Sequence, residues 1–210
     1  MPSLVAIAAG KIIDELWSEA FHGAIGRLME RRARQAREVL EAELRKGRHW
    51  AITEDAAAAA IFSYLRAARE GTARVNLQMI AEALRNSAEE PTFASDEFRR
   101  HVNILAELSN EEIVVLAAFI RHRRREGEGI DQDGSRKSGE WNDVCSSLLE
   151  RRHLFRDGHE VVAHTVGLLR TGLVIPWSGL GAYTGFSATP RLDALARLVD
   201  FELASLELEN

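Results

Sequence analysis

Residues 157–190 read DGHEVVAHTVGLLRTGLVIPWSGLGAYTGFSATP, and a helix signal and a hairpin signal follow each other closely within them. Asp157, together with Glu160 three residues later, is the capping signature at the start of a helix. Apolar residues continue as far as Leu169, and Gly172 is the expected stop of this helix. The stretch therefore begins with one short, well-delimited helix.

Two β-favouring runs follow, Leu173–Ile175 and Ala182–Phe186, and the glycine-containing turn between them predicts a β-hairpin. Thr189-Pro190 is an N-cap followed by proline at the first helical position, so it begins a final helix that continues through Leu203. A further helix is predicted over about 141–149. The resulting order of helix, helix, hairpin and helix is that of a winged helix-turn-helix, in which the hairpin is the wing.

Helical periodicity also dominates the sequence before this region. The clearest helix has one apolar face from Ile13 to Met29 and continues with many charged residues to Gly47. A capping box opens another at Ser109-Asn110-Glu111-Glu112. The remaining helices are predicted over about 53–70, 73–86 and 96–108. We therefore expect a mostly α fold, in which an N-terminal helical bundle precedes a winged-helix-like module with one short β-hairpin.

The stretch 125–138 is polar, contains glycine and lacks apolar periodicity. We expect it to be a mobile linker, because few apolar side chains are available there to offset the entropy of ordering the chain. The predicted domains are therefore a helical bundle over 1–124, the linker over 125–138 and the winged-helix-like module over 139–210.

The composition is that of a globular protein with a sizeable core, since 46% of the 210 residues are apolar. The single cysteine, Cys145, excludes an intramolecular disulfide and favours a reducing compartment. The apolar stretch near the start is interrupted by Lys11 and is shorter than the roughly 20 residues needed to cross a bilayer. We expect a soluble, cytoplasmic protein without a transmembrane segment.

Signatures of catalysis are absent from the sequence. His159 and His164 resemble the zinc-binding HExxH pattern but lie five residues apart, which places the two imidazoles about 140° apart around a helix. The glycines Gly179 and Gly181 lack the third glycine of a dinucleotide fingerprint. We therefore expect no enzyme activity, no catalytic or metal site and no cofactor.

The predicted wing has the composition of a protein contact. Residues 173–189 contain no Lys or Arg but include several aromatic and apolar side chains. Such side chains are typical anchors of protein interfaces, and leaving them all exposed would create an apolar patch that monomers usually avoid. We expect contact with a protein partner or with a second copy of the chain through Trp177, Leu180, Tyr183 and Phe186.

The alternative is a DNA-binding transcriptional regulator that uses the same module. In this interpretation the second helix reads DNA, with Glu160, His164, Thr165 and Arg170 pointing outward. The candidate nucleic-acid contacts are Arg151, Arg152, Arg156 and Arg170. Residues 139–210 count against it, because they carry 6 Lys or Arg against 10 Asp or Glu.

Two arginine-rich stretches, 27–37 and 121–125, are further electrostatic candidates. Contact with phosphates is one interpretation of them, and a solvated helix surface or linker is the simpler one. The amphipathic pattern of residues 13–37 is also compatible with peripheral contact at a membrane surface. Burial of the same apolar face inside the bundle explains the pattern more simply, so membrane contact is disfavoured.

The C-terminal pattern resembles that of a known family. Residues 168–174 (LLRTGLV), residues 183–186 (YTGF) and Thr189-Pro190 are similar to the C-terminal region of Abi-alpha-type proteins, and residues 108–112 (LSNEE) match in layout. These are helical bacterial and prophage proteins linked to abortive infection by phage. The resemblance implies a phage-defence setting and assigns no catalytic residues.

Overall fold

The structure, a computed structural model, describes residues 26–47, 51–89, 94–126, 140–151, 153–178 and 184–209. These residues are mostly helical and include one two-stranded antiparallel hairpin, which confirms the predicted mostly α fold class. The chain divides into two compact units, Met1–Glu107 and Leu108–Asn210.

The first unit is built of helices that begin and end at recognisable signals. The N-cap Thr53 accepts a hydrogen bond from the Ala56 backbone N–H at 3.3 Å, and Gly71 ends the same helix with a φ of 92°. The hydroxyl of buried Tyr64 donates to the Ala36 carbonyl at 2.7 Å and so ties two helices together. The helices of this unit are α1 (Gly26–Leu44), α2 (Glu54–Glu70), α3 (Arg74–Ala88) and α4 (Ser95–Glu107). The part of the predicted first helix that precedes Gly26 lies outside the described residues.

The second unit contains the helices and the hairpin of the C-terminal region. The predicted capping box is present, since the Ser109 hydroxyl accepts from the Glu112 N–H at 3.2 Å and the Glu112 carboxylate accepts from the Ser109 N–H at 3.0 Å. The elements are α5 (Asn110–Glu126), α6 (Glu140–Leu149), α7 (Gly158–Gly167), a 3₁₀ turn (Leu168–Thr171), β1 (Val174–Ser178), β2 (Thr184–Ala188), α8 (Pro190–Ala196) and α9 (Phe201–Glu209).

Helix α5 belongs to the second unit and not to the N-terminal one. Every residue from Ile113 to Ile120 is buried, because α6, α7 and α9 all pack on this helix. A helix that is apolar on all sides forms the centre of a unit rather than its edge. The unit boundary therefore follows Glu107, whereas the sequence placed it after residue 124; the predicted linker begins within the last turn of α5, and its residues 127–138 lie outside the described residues.

The hairpin is present, but both strands end later than the sequence indicated. Strand β1 extends through Pro176 and Trp177, which were expected in the turn, and β2 begins at Thr184. Proline is tolerated there because a strand of a two-stranded sheet is always an edge strand. The register pairs Trp177 with Gly185 and Val174 with Ala188.

The final helix is two helices. The sequence predicted one helix from Pro190 through Leu203, but α8 ends at Ala196 and α9 begins at Phe201. The cause is local, since the Asp200 carboxylate accepts the backbone N–H groups of Glu202 and Leu203, each at 3.1 Å. These bonds satisfy donors at the start of a new helix, as an N-cap does.

Candidate functional site

Helix α7 is fixed at its start by Asp157. The Asp157 carboxylate accepts the backbone N–H groups of His159 at 2.9 Å and Glu160 at 3.1 Å, which confirms the predicted cap. Val161 and Thr165, one turn apart, are completely buried against the module. These contacts fix which side of the helix faces inward.

The opposite side of α7 is exposed and largely apolar. His159, Val162, Ala163 and Val166 all lie on the surface, and we refer to these four residues as the outward α7 face. The exposed fractions of Val162 and Val166 are 38% and 48%. Their methyl groups can pack against another apolar surface but cannot donate hydrogen bonds to base edges.

The expectation that Thr165 points outward is wrong. Its hydroxyl donates to the Val161 carbonyl at 2.8 Å inside the module, and its exposed fraction is zero. Valines stand at positions 161, 162 and 166, so apolar spacing alone did not determine the orientation of the helix. The Asp157 cap does indicate where the first turn of α7 begins, and the start of the helix determines which side chains face inward.

Arg170 forms an ion pair with Glu112, a residue of the same unit. Its guanidinium donates to both Glu112 oxygens, at 2.5 and 2.8 Å, and to the Gly167 carbonyl at 2.6 Å. Burial of Glu112 opposes ionisation, but the hydrogen bonds from Arg170 and the Ser109 N–H outweigh it and lower the pKa of the Glu112 carboxyl. The Glu112 carboxylate is therefore ionised at neutral pH. Its ion pair with Arg170 connects the 3₁₀ turn that follows α7 to α5.

The other candidate DNA-contacting arginines also have partners where they are described. Arg151 donates to the Ser205 hydroxyl at 3.0 Å. The Arg156 backbone N–H and guanidinium donate to Glu160 at 2.7 and 3.3 Å, and these bonds lower the pKa of the Glu160 carboxyl. Arg152 lies outside the described residues. Arg151, Arg156 and Arg170 each make a contact inside the module.

The two hairpin aromatics that the structure describes, Trp177 and Phe186, differ in their burial. Phe186 is 4% exposed and meets Trp141 of α6 edge to face, with ring centroids 4.9 Å apart. Trp177 is half-buried, so part of its ring is accessible to solvent. Leu180 and Tyr183 lie outside the described residues. Of the two predicted contact residues that the structure describes, Phe186 packs inside its own module and Trp177 is partly accessible.

Gly185 lies between two tryptophans. A Cβ at this position would stand 3.3 Å from the Trp141 Cβ and 3.4 Å from the Trp177 ring. We expect Gly185→Ala to lower the free energy of unfolding by about 1 kcal/mol, because Trp141 would have to shift by a few tenths of an ångström. Gly158→Ala is the control, since a Cβ there meets nothing within 4 Å and should leave stability unchanged or slightly higher. Urea denaturation of the two variants measures the difference, and equal stability would contradict the close packing of Gly185.

The arginines 121–125 are mostly structural. Arg121 and Arg124 both pair with Glu202, at 3.3 and 2.6 Å. Arg123 donates to Glu140 at 3.2 Å and, at 2.5 Å each, to Asp193 and to the Ala188 carbonyl. The sequence did not reveal these pairs, because the partners are separated by 17 to 81 positions along the chain. Arg125 is exposed at the end of α5.

The described residues include one cysteine, Cys145, and several histidines and carboxylates whose surroundings can be compared with those of reactive and metal-binding sites. Burial raises the pKa of the Cys145 thiol to about 11, so a reactive thiolate is scarce at neutral pH. Among the described residues, no group of three or more His, Cys, Asp or Glu side chains is placed to hold a metal ion. His164 instead meets the Phe155 ring edge to face at 6.0 Å.

A membrane-spanning helix is not found in the described part of the chain, because none of its helices is both long and apolar enough. Comparison of the sequence and the structure with protein-family models, curated proteins and solved structures gives no match. The geometry of the C-terminal module is therefore the basis for any functional assignment.

Proposed function

We propose that the chain acts by binding another protein chain through its C-terminal unit, and that it does so without catalysis. In this proposal α6, α7, the hairpin and α8 form a winged-helix-like module whose helix α7 contacts a protein instead of DNA. The single cysteine fits a role in the reducing cytoplasm. The resemblance to Abi-alpha-type proteins suggests phage defence as the setting.

The main observation that supports this proposal is the composition of the outward α7 face. A helix that reads DNA presents hydrogen-bond donors and acceptors to base edges, whereas three of the four residues of this face, Val162, Ala163 and Val166, are apolar. Apolar surface at the centre of a contact, with charged groups around it, is the usual composition of a protein interface. The charged groups near this face include Asp157, Glu160 with its partner Arg156, and Arg170.

The internal partners of the arginines weaken the alternative of DNA binding. A guanidinium that is already paired with a carboxylate has part of its charge neutralised, so it attracts a phosphate less strongly. If Arg170 turned to a phosphate, the buried Glu112 carboxylate would lose its cation and keep only the hydrogen bond from the Ser109 N–H. Arg156 is the exception, since 87% of its side chain is exposed and its contact with Glu160 is weak.

Site-specific photo-crosslinking in the producing cell tests the proposal directly. A photoreactive amino acid at position 162 should give adducts that protease removes and nuclease does not. The same amino acid at Ser146, an exposed position on α6, is the matched control and should give few adducts. Nuclease-sensitive adducts at position 162 would establish the DNA-binding alternative, and equal labelling at both positions would show that the α7 face is not an interface.

A further inference from the structure

We infer that the first unit binds a single strand of nucleic acid through exposed arginines at the turn between α2 and α3. We refer to Arg31, Arg32, Arg69 and Arg74 as the basic patch. The inference goes beyond the proposed function, because it concerns the other unit of the chain and a different class of partner.

The turn at Gly71 brings arginines of three helices together. The Arg32 guanidinium of α1 lies against this turn, since a Cβ at Gly71 would stand 3.0 Å from one of its terminal nitrogens. Arg69 precedes Gly71 by two residues near the end of α2, and Arg74 follows it by three as the first residue of α3. Their Cα atoms are therefore at most about 8 and 11 Å from that of Gly71. Arg31, next to Arg32 on the exposed surface of α1, extends the same patch.

The arginines of the basic patch have no internal partner. All four side chains are exposed, and within the part of the chain that the structure describes none of them makes a hydrogen bond or an ion pair. In the second unit, by contrast, Arg123 and Arg170 each bind a carboxylate of their own unit. A guanidinium without a carboxylate keeps its full charge and all of its donors for a ligand.

The patch is positive although the whole chain is negative. Residues 30–32 and 66–74 contain 5 Arg against 2 Glu, a net charge of +3. One of these acids, Glu70, already pairs with Arg66 at 3.8 Å, and the first turn of α3 contains no acidic residue. Charges more than about 10 Å away are largely screened at 0.1 M salt, so acidic residues beyond this distance reduce the attraction of the patch for anions only slightly.

Phosphate is the anion that suits the basic patch. A planar guanidinium can donate two parallel hydrogen bonds to phosphate oxygens, which an ammonium group cannot do. Four guanidinium groups on an open surface can contact successive phosphates of one polymer. Like charges this close repel one another, and phosphates placed between them would remove that repulsion.

Phe62 favours a single strand over a duplex. Its ring is 60% exposed and lies on the same face of α2 as Arg66 and Arg69, which follow it by four and seven residues. Seven residues of helix span roughly 10 Å, so the ring and the basic patch can contact the same strand. An unpaired base can stack on an exposed aromatic ring, whereas the bases inside a duplex are already stacked on each other.

The same residue argues against a membrane surface as the partner. Peripheral membrane contact uses several apolar side chains that enter the lipid together. In the described part of the first unit, Phe62 is the one large apolar side chain that is exposed. A single ring beside a group of arginines fits base stacking and phosphate contact better than insertion into lipid.

Fluorescence anisotropy of the full chain with a labelled oligo(dT) of about 12 nucleotides tests the inference. The logarithm of the binding constant should fall with the logarithm of the salt concentration with a slope of about −3, because each of four phosphate contacts contributes about −0.7. Arg32→Ala with Arg69→Ala should reduce this slope to about −1.5 and lower the affinity at least tenfold at low salt.

The matched control is Arg34→Ala with Arg45→Ala, which also removes two exposed arginines from the same unit. Arg34 is two residues from Arg32 and therefore lies about 160° away around α1, and Arg45 is roughly 20 Å from Arg32 along the chain. This control should keep the salt slope and lose less than threefold in affinity. Circular dichroism should show that both double variants remain folded, since the replaced side chains are exposed.

Phe62→Ala separates stacking from charge. This variant should bind oligo(dT) at least fivefold more weakly with an unchanged salt slope, because a stacked base releases no counterions. Phe62→Trp should restore binding, and a duplex of the same length should bind more weakly than the single strand. Oligo(rU) should bind within about threefold of oligo(dT), since both polymers offer phosphates and base faces.

Four results would overturn the inference: no binding of oligo(dT) at low salt, equal affinities for the two arginine double variants, wild-type affinity for Phe62→Ala, or binding of only one of the two polymers. Cosedimentation with vesicles that contain phosphatidylserine, without binding of oligo(dT), would also overturn it and identify a membrane surface instead. None of these results bears on the proposed function, because crosslinking at position 162 reports on the second unit.

Discussion

Replacing Arg123 with methionine should lower the free energy of unfolding by about 2–4 kcal/mol. Arg123 joins α5 to Glu140 of α6, to Asp193 of α8 and to the Ala188 carbonyl at the end of β2. Methionine keeps much of the side-chain volume but leaves the buried Glu140 carboxylate without its cation. The expected loss is below that of a fully buried pair, because 29% of the arginine side chain is exposed.

Arg125→Met is the matched control for this variant. Arg125 is exposed in the last turn of the same helix, so its replacement should change stability by no more than about 0.5 kcal/mol. Urea denaturation followed by circular dichroism measures both variants against the wild type. Equal midpoints for the two variants would show that the three contacts of Arg123 contribute nothing to stability.

Replacing Glu112 with alanine is expected to cost about 2–3 kcal/mol at neutral pH. The substitution removes one half of the capping box at the start of α5 and the bidentate partner of Arg170. Glu111→Ala, the control in the same helical turn, loses only a favourable charge near the helix N-terminus and should cost about 0.5 kcal/mol.

The contribution of Glu112 should also depend on pH. Its carboxyl has a lower pKa in the folded chain than the ordinary value of 4.5, so the folded state favours the ionised form. This stabilisation is fully present above pH 4.5 and is lost as the pH falls through the lower folded pKa. The difference in stability between wild type and Glu112→Ala should therefore be constant near neutral pH and shrink in acid. A difference that grew on acidification would contradict the assigned ion pair.

Local signals in the sequence predicted the helices well. Thr53, Ser109 and Asp157 each accept the backbone hydrogen bonds expected of a cap, and Gly71 and Gly172 have the positive φ expected at a helix end. A cap depends on residues within three or four positions of one another. This is the range over which a sequence pattern carries direct physical information.

The sequence predicted the helix after Pro190 and the unit boundary incorrectly, because apolar spacing alone did not determine either of them. The leucine spacing after Pro190 is continuous, but the Asp200 side chain starts a new helix inside it. The apolar run 113–120 was interpreted as one more bundle helix, although a run buried on every side indicates a central helix. Its packing partners α6, α7 and α9 lie later in the chain, so the unit boundary could not be read locally.

The candidate site was predicted only in part. The aromatic composition of the hairpin suggested a protein contact, and in the structure Phe186 is buried inside the module while Trp177 is half-buried. The outward α7 face was missed, because Val162 and Val166 stand in the same apolar run as buried Val161 and the run alone does not separate them. The ion pairs of Arg123 and Arg170 connect positions far apart in the chain, and charge alone cannot identify such partners.

The central position of α5 also has a consequence for biosynthesis. This helix is synthesised before every other element of its unit, and α9, which packs on it, is synthesised last. At ~5–20 residues per second, the ribosome needs on the order of ten seconds to proceed from the end of α5 to the end of α9. Throughout this interval α9, the last helix that packs on the apolar residues 113–120, has not yet been synthesised. A nascent chain in this state is a natural client for chaperones and, when these are scarce, a starting point for aggregation.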